Sequence, residues 1–114
     1  MSLLRWVLVL AMVALCASAP RAEKAEDHTI VLHHMELEEI DATLRVGDVV
    51  AFHNLSDMAH NLYITYSDGT IDNLDTQFPN MKRWVTLRVA GPATIRCWIH
   101  PIIKAEVEIL EKQD

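Results

Sequence analysis

Between Lys82 and Val89 the side chains alternate strictly, with Val85, Leu87 and Val89 on one side and Trp84, Thr86 and Arg88 on the other. A period of two is what a half-buried β-strand requires, because successive side chains point to opposite faces of a sheet. Short β-branched or apolar segments recur at 28–33, 42–46, 49–54, 61–66, 94–97 and 105–110. Gly47-Asp48, Ser67-Asp68-Gly69 and Gly91-Pro92 place turn residues between them. This succession predicts an all-β domain, an antiparallel sandwich or barrel of seven short strands. The acidic stretch 35–41 fits a loop or a short helix. Residues 71–80 are polar, contain a Phe78-Pro79 step and read as a surface loop. There is no repeat, no low-complexity tract and no long helical pattern.

A chain of 114 residues has room for one domain, and its first segment stands apart from it. Arg5 is followed by an apolar run from Trp6 to Leu15 and then by small residues, the layout of a secretory signal peptide over residues 1–22. Cleavage is expected at Ala17, Ala19 or Ala22. The run is shorter than the ~20 residues of a membrane span, so no stable membrane insertion is expected after cleavage. A lipid anchor on Cys16 is disfavoured by the bulky Leu15 before it. Residues 23–27 read as a flexible leader and 28–114 as the folded domain of a periplasmic protein.

Removing residues 1–22 leaves 92 and takes away Arg5, Arg21 and no acid, moving the formal charge from −6 to −8. Such acidity argues against nucleic acid as a partner, since phosphates demand a basic surface. It suits a soluble monomer and basic protein partners. Cys16 leaves with the signal, so the mature chain keeps Cys97 alone. An unpaired cysteine in an exported protein is buried and inert, bridged to another chain, or occupied by a metal.

The neighbours of Cys97 favour the metal. His100 follows three residues later, in Cys97-Trp98-Ile99-His100-Pro101-Ile102-Ile103, at the end of one strand and in the turn after it. His60 opens another strand 37 residues earlier, after the loop Asn54-Leu55-Ser56-Asp57-Met58-Ala59. Loops at one end of a sandwich meet in space, so His60, Cys97 and His100 are candidate ligands of one ion. Two imidazoles and a thiolate in a trigonal arrangement are the equatorial set of a blue-copper site.

With Gly47-Asp48-Val49-Val50-Ala51-Phe52-His53-Asn54, then Asp57, His60-Asn61, Gly91 and Cys97-x-x-His100-Pro101, the chain resembles the cupredoxins, in particular the amicyanin, pseudoazurin and plastocyanin group. The resemblance spans about Thr29 to Ile109. It implies a Greek-key β-sandwich, one copper ion cycling between Cu(I) and Cu(II) on His60, Cys97 and His100, and electron transfer rather than enzymatic catalysis. It implies that Asn54 stiffens the site by hydrogen bonds and that Asn61 follows the first ligand. The chain departs from the group where an axial methionine belongs, which here is Ile103. Ala93, Ile95 and Ala105 also stand where aromatic residues and a glycine are usual. A three-coordinate ion, an axial oxygen from the Ala59 backbone or water, or loss of copper are the alternatives at Ile103.

Pro101, Ile102 and Ile103 form an apolar collar expected to dock redox partners. The rival reading is copper tolerance or delivery to an acceptor cuproenzyme through the same ligands. A site with an open position that reacts with small molecules ranks lower, because no motif fixes a carboxylate nearby. His28, His33, His34 and His53 read as surface histidines, and Met35, Met58 and Met81 as gap-fillers.

Overall fold

The computed structural model describes residues 25–113, so the segment read as a signal peptide and the first two leader residues lie outside it. Nine strands follow in order: β1 (Asp27–His33), β2 (Glu36–Leu37), β3 (Leu44–Arg45), β4 (Val49–Asn54), β5 (His60–Thr65), β6 (Ile71–Gln77), β7 (Lys82–Thr86), β8 (Gly91–Cys97) and β9 (Lys104–Leu110). They form two sheets, one ordered β2-β1-β4-β7 and the other β3-β9-β8-β5-β6. No helix occurs among the described residues.

The sandwich is mixed rather than wholly antiparallel. β1 runs parallel to β4, with Ile30 opposite Phe52 and Leu32 opposite Asn54, and β3 runs parallel to β9. Parallel neighbours need a crossover, and the chain supplies one by passing through β3 in the second sheet between β1 and β4. Three stretches differ from their sequence expectation, one being Gly91-Pro92, which reads as a turn but forms the first two residues of β8. Residues 35–41 contribute the two-residue strand β2, paired with β1. The polar stretch 71–80 is not a surface loop but begins with β6, the edge strand paired with β5.

The inward rows make the core. Leu32, Val50 and Phe52 from the first sheet meet Leu62, Ile64, Ile95 and Ile109 from the second, all buried. Removing each such side chain from water is worth about 1.5–3 kcal/mol. Gln77 ties the sheets together, its side-chain amide donating to the Phe52 carbonyl at 2.8 Å.

The same alternation positions the chemistry. In β5 every second residue is buried, which takes His60 inside with Leu62 and Ile64. In β8 the buried row is Ala93, Ile95 and Cys97. The two strands are antiparallel, with Leu62 opposite Cys97. The first residue of one and the last residue of the other therefore reach the same end of the sheet, on the same face.

Candidate metal centre

His60 Nδ1, Cys97 Sγ and His100 Nδ1 face one another at that end. The sulfur lies 3.9 Å from His60 Nδ1 and 4.0 Å from His100 Nδ1, and the two nitrogens are 3.2 Å apart. These are the three residues whose donor atoms gather as a metal cluster among the described residues. A point in the plane of this triangle lies about 2.05 Å from both nitrogens and about 2.3 Å from the sulfur, matching metal–imidazole and metal–thiolate bonds of ~2.0–2.1 and ~2.3 Å. The spacing of the three donors therefore fits one ion.

His60 and Cys97 are buried and His100 is half-buried. Burial, and after it the nearby His100 ring, holds His60 below the ordinary imidazole range. Its ring stays neutral, as a metal ligand must.

A hydrogen-bond chain behind His60 fixes which nitrogen carries its proton. Asn54 is buried, and its side-chain NH2 donates to the carbonyls of Met58 and Gln77 at 2.9 and 3.0 Å. Asn54 Oδ1 must then accept, taking the Ser56 N–H at 3.0 Å and the Ser56 hydroxyl at 2.6 Å. With its proton committed, Ser56 Oγ accepts from His60 Nε2, 2.9 Å away. The proton therefore sits on Nε2, and the Nδ1 lone pair faces Cys97 and His100. Partners behind a ligating histidine set its tautomer and orientation in this way. Ser56 escaped the sequence reading. Its signal is the spacing Asn54-x-Ser56-x-x-x-His60, which carries meaning only once the loop is seen to fold back.

The backbone arms the other two donors. The Asn61 N–H donates to Cys97 Sγ at 3.3 Å, a dipole aimed at the charge a thiolate carries. The Trp98 N–H donates to the Asn61 carbonyl at 2.9 Å, extending the register of β5 and β8 past the cysteine. The Ile103 N–H donates to the His100 carbonyl at 3.0 Å, closing a turn with Pro101 at its second position, where the fixed φ of proline is favoured. Pro101 and Ile102 are exposed, Ile102 at 74 %, whereas Ile103 is 1 % exposed and packs into the core. Ile103 is thus corrected from a docking residue to an interior one.

None of the remaining histidines adds a donor to this cluster, although His34 lies close enough to act on His60. His28 Nε2 pairs with the buried Asp48 at 2.9 Å, so His28 is not a surface residue, as its sequence context suggested. His33 and His34 are exposed and lie near Glu38 and Asp57, and His53 Nε2 bonds Asn80.

Searches among known proteins find no matching family model. The methylamine utilization protein MauL of Methylorubrum extorquens is 42% identical over 88 residues, covering 77% of this chain and 77% of that protein. The chain belongs to the MauL family. MauL of Methylophilus methylotrophus is 36% identical over 106 residues, covering 88% of this chain and 61% of its own length. Among solved structures, amicyanin from Paracoccus versutus matches this MauL-family chain with a TM-score of 0.60 at 17% identity, over 84% of this chain and 87% of that one. A purple cupredoxin from Nitrosopumilus maritimus matches at 0.57 and 15%, over 73% and 99%. These likenesses show that the fold is a cupredoxin-like β-sandwich.

Proposed function

We propose that this MauL-family protein is an exported copper protein that carries single electrons, not an enzyme, with His60, Cys97 and His100 as equatorial ligands. The donor triangle carries the reading: one soft sulfur and two imidazole nitrogens are spaced for a single ion without any side chain moving. Copper in such a set accepts and releases one electron as it passes between Cu(II) and Cu(I). The chain's part is to hold the donors still. His60 and Cys97 are locked in adjacent strands, and the Asn54–Ser56 chain orients the His60 ring. Ile103 stands where the cupredoxin resemblance puts an axial donor and offers none, so His60, Cys97 and His100 are the side chains that would hold the ion.

His100, with Pro101 and Ile102 beside it, opens toward solvent and forms the contact with redox partners. Leu55 and Phe78, both exposed, directly follow Asn54 and Gln77 at the same end and widen this apolar surface. The name of the relatives ties them to methylamine utilization, and we place this chain's partners in the same process, in the periplasm. Delivery of copper to another protein would use the same donors, but two of the three are buried, which favours retention over exchange.

The test is spectroscopic. Cu(II) added to the purified mature protein gives an intense thiolate-to-copper absorption band, and Cys97→Ser abolishes it. A protein that stays colourless with Cu(II) refutes the proposal.

A further inference from the structure

Among the described residues each sheet has two edge strands, and three of these four are blunted. β2 and β3 are two residues long. β6 carries Asp72 and Asp75, a bulge in its pairing with β5 and a positive φ at Asp75. Short length, charge and bulges are the devices that stop a sheet edge from taking up another strand. β7 has fewer of them. Its five residues, Lys82-Arg83-Trp84-Val85-Thr86, pair with β4 in unbroken register and include no acid, glycine or proline. Its charges are Lys82, at the first position, and Arg83, whose guanidinium reaches across to the Thr76 carbonyl of β6.

On the β4 side, the Asn54 N–H donates to the Met81 carbonyl and the Leu87 N–H to the Asp48 carbonyl. Bonded and non-bonded residues alternate along an antiparallel pair. Arg83 and Val85 therefore bond β4, while the N–H and C=O groups of Lys82, Trp84 and Thr86 point away from the sheet. The same three residues are exposed. Trp84 is 64% exposed, and its ring N–H has no partner among the described residues. Level with it across β4 and β1 are the small Ala51 and Thr29. An indole with an open face and an unused donor suits the centre of a protein contact.

We propose that β7 pairs antiparallel with β7 of a second copy about a two-fold axis at Trp84, giving a reversible dimer in place of the monomer that the composition suits. In that register Trp84 lies opposite its own counterpart, Lys82 opposite Thr86 of the second copy, and Arg83 opposite Val85. Each outward residue exchanges both backbone bonds with the one opposite. The two indoles meet, and no like charges are opposed. An axis at Arg83 would set that cation against itself. Two copies of an acidic chain approach best along an edge that carries no acid. The two-fold contact is closed, so assembly stops at two. Five residues from each copy cover less than the ~1,200 Å² of a stable interface, so the dimer forms at high concentration and dissociates on dilution. Lys82 lies opposite His53, next to Asn54 of the candidate metal centre. The antiparallel pairing therefore sends the two centres to opposite ends of the dimer and leaves both His100 ends open. The pairing needs no copper and stands apart from the carrier reading.

The test is sedimentation equilibrium of the purified, metal-free mature protein from ~1 μM to ~1 mM, the span of weak dissociation constants. The mass rises from monomer toward dimer and no further. Thr86→Pro removes an N–H that β4 does not use, on an edge strand where proline is tolerated, and weakens the dimer by about tenfold or more. Trp84→Glu, which sets two carboxylates against each other at an exposed position, does the same. Ile102→Glu, on the exposed apolar surface beside His100, leaves the dimer within about twofold of wild type. Circular dichroism confirms that each variant is folded. A monomer mass at every concentration overturns the proposal and leaves the edge to a strand of another protein. A dimer that survives both Thr86→Pro and Trp84→Glu overturns it too, as does one abolished by Ile102→Glu.

Discussion

Replacing Ser56 with alanine tests the chain of reasoning that runs from Asn54 to the metal donors. The hydroxyl donates to Asn54 Oδ1 at 2.6 Å and accepts from His60 Nε2 at 2.9 Å. Asn54 Oδ1 keeps the Ser56 backbone N–H, so its loss is partial. The His60 Nε2–H, inside a fully buried side chain, loses its acceptor. An orphaned buried donor costs about 1–3 kcal/mol. For a domain of this size each kcal/mol lowers Tm by roughly 4–8 °C, so the metal-free variant melts several degrees lower. Metal binding suffers separately, because a ring free to move its proton to Nδ1 presents no lone pair to the ion. Loss of such a partner weakens metal affinity by about 10–100-fold, or roughly 1.4–2.7 kcal/mol. Competition against a Cu(I) chelator measures the affinity, and 15N NMR of the imidazole reads the tautomer directly. Ser56→Thr keeps the hydroxyl and restores most of the affinity. An affinity for Ser56→Ala within about twofold of wild type would falsify the tautomer argument; a tenfold change is the minimum expected.

Three further perturbations have calculable outcomes. Ile103→Met supplies a donor that favours Cu(II), so the reduction potential falls, by about 59 mV for each tenfold gain in relative Cu(II) affinity; voltammetry showing no decrease sinks the axial assignment. Burial alone would push the Asp48 carboxyl up, but hydrogen bonds from His28 and from the Glu26 and Arg45 N–H groups outweigh it and hold it below its ordinary 3.8. A depressed carboxylate contributes stability above its unfolded value that is lost as pH falls through the folded value. Urea unfolding should therefore show Asp48→Asn to be less stable than wild type at pH 7 and the gap to narrow below about pH 4; a gap independent of pH contradicts this. Gly91 has φ +112°, and a Cβ there would lie 2.8 Å from Ser67 Oγ. Gly91→Ala is expected to cost about 1–3 kcal/mol, read as a lower Tm, and a neutral result would mean the start of β8 relaxes freely.

How much of this was legible in the sequence depended on whether a residue's role is local. Alternation in 82–89 and turn residues at Gly47 and Gly69 report on their own neighbourhood, and that strand and those turns are where they were expected, whereas Gly91 and Pro92 open β8 opposite Ile109 and Glu108 instead of making a turn. β7 ends at Thr86, yet Leu87 stays buried as the alternation requires and exchanges backbone bonds with Gly47 and Asp48. β6 was hidden because it is an edge strand. Only Leu74 and Gln77 face inward, while Asp72, Asn73 and Asp75 carry little strand preference. A bulge in its pairing with β5 and a positive φ at Asp75 break the alternation further. The parallel pairings were hidden for another reason, since no local pattern states which strand lies beside which. At the centre, the donor types and spacings pointed to His60, Cys97 and His100, and Asn54 entered through the cupredoxin resemblance. Ser56 could not be found, because its meaning depends on the loop returning over Asn54. Ile103 looked like part of an exposed apolar run, but the turn at Pro101 directs it inward while leaving Ile102 outside.

The turn from His100 to Ile103 also divides the centre into two kinds of sequence. Asn54, Ser56 and His60 are wired into both sheets through Gln77 and Phe52, so a change among them disturbs the scaffold. Cys97 to Ile103, by contrast, is a single seven-residue piece that carries two candidate donors, the exposed Pro101 and Ile102, and the buried Ile103. It is anchored at its start by the pairing of Cys97 with Leu62 and at its end by Lys104 against Arg96. The exposed surface beside the centre and two of its three candidate donors can therefore change together by exchange of one short cassette, while the histidine from β5 stays as it is. A lineage, or an engineer, can revise that surface without refolding the protein.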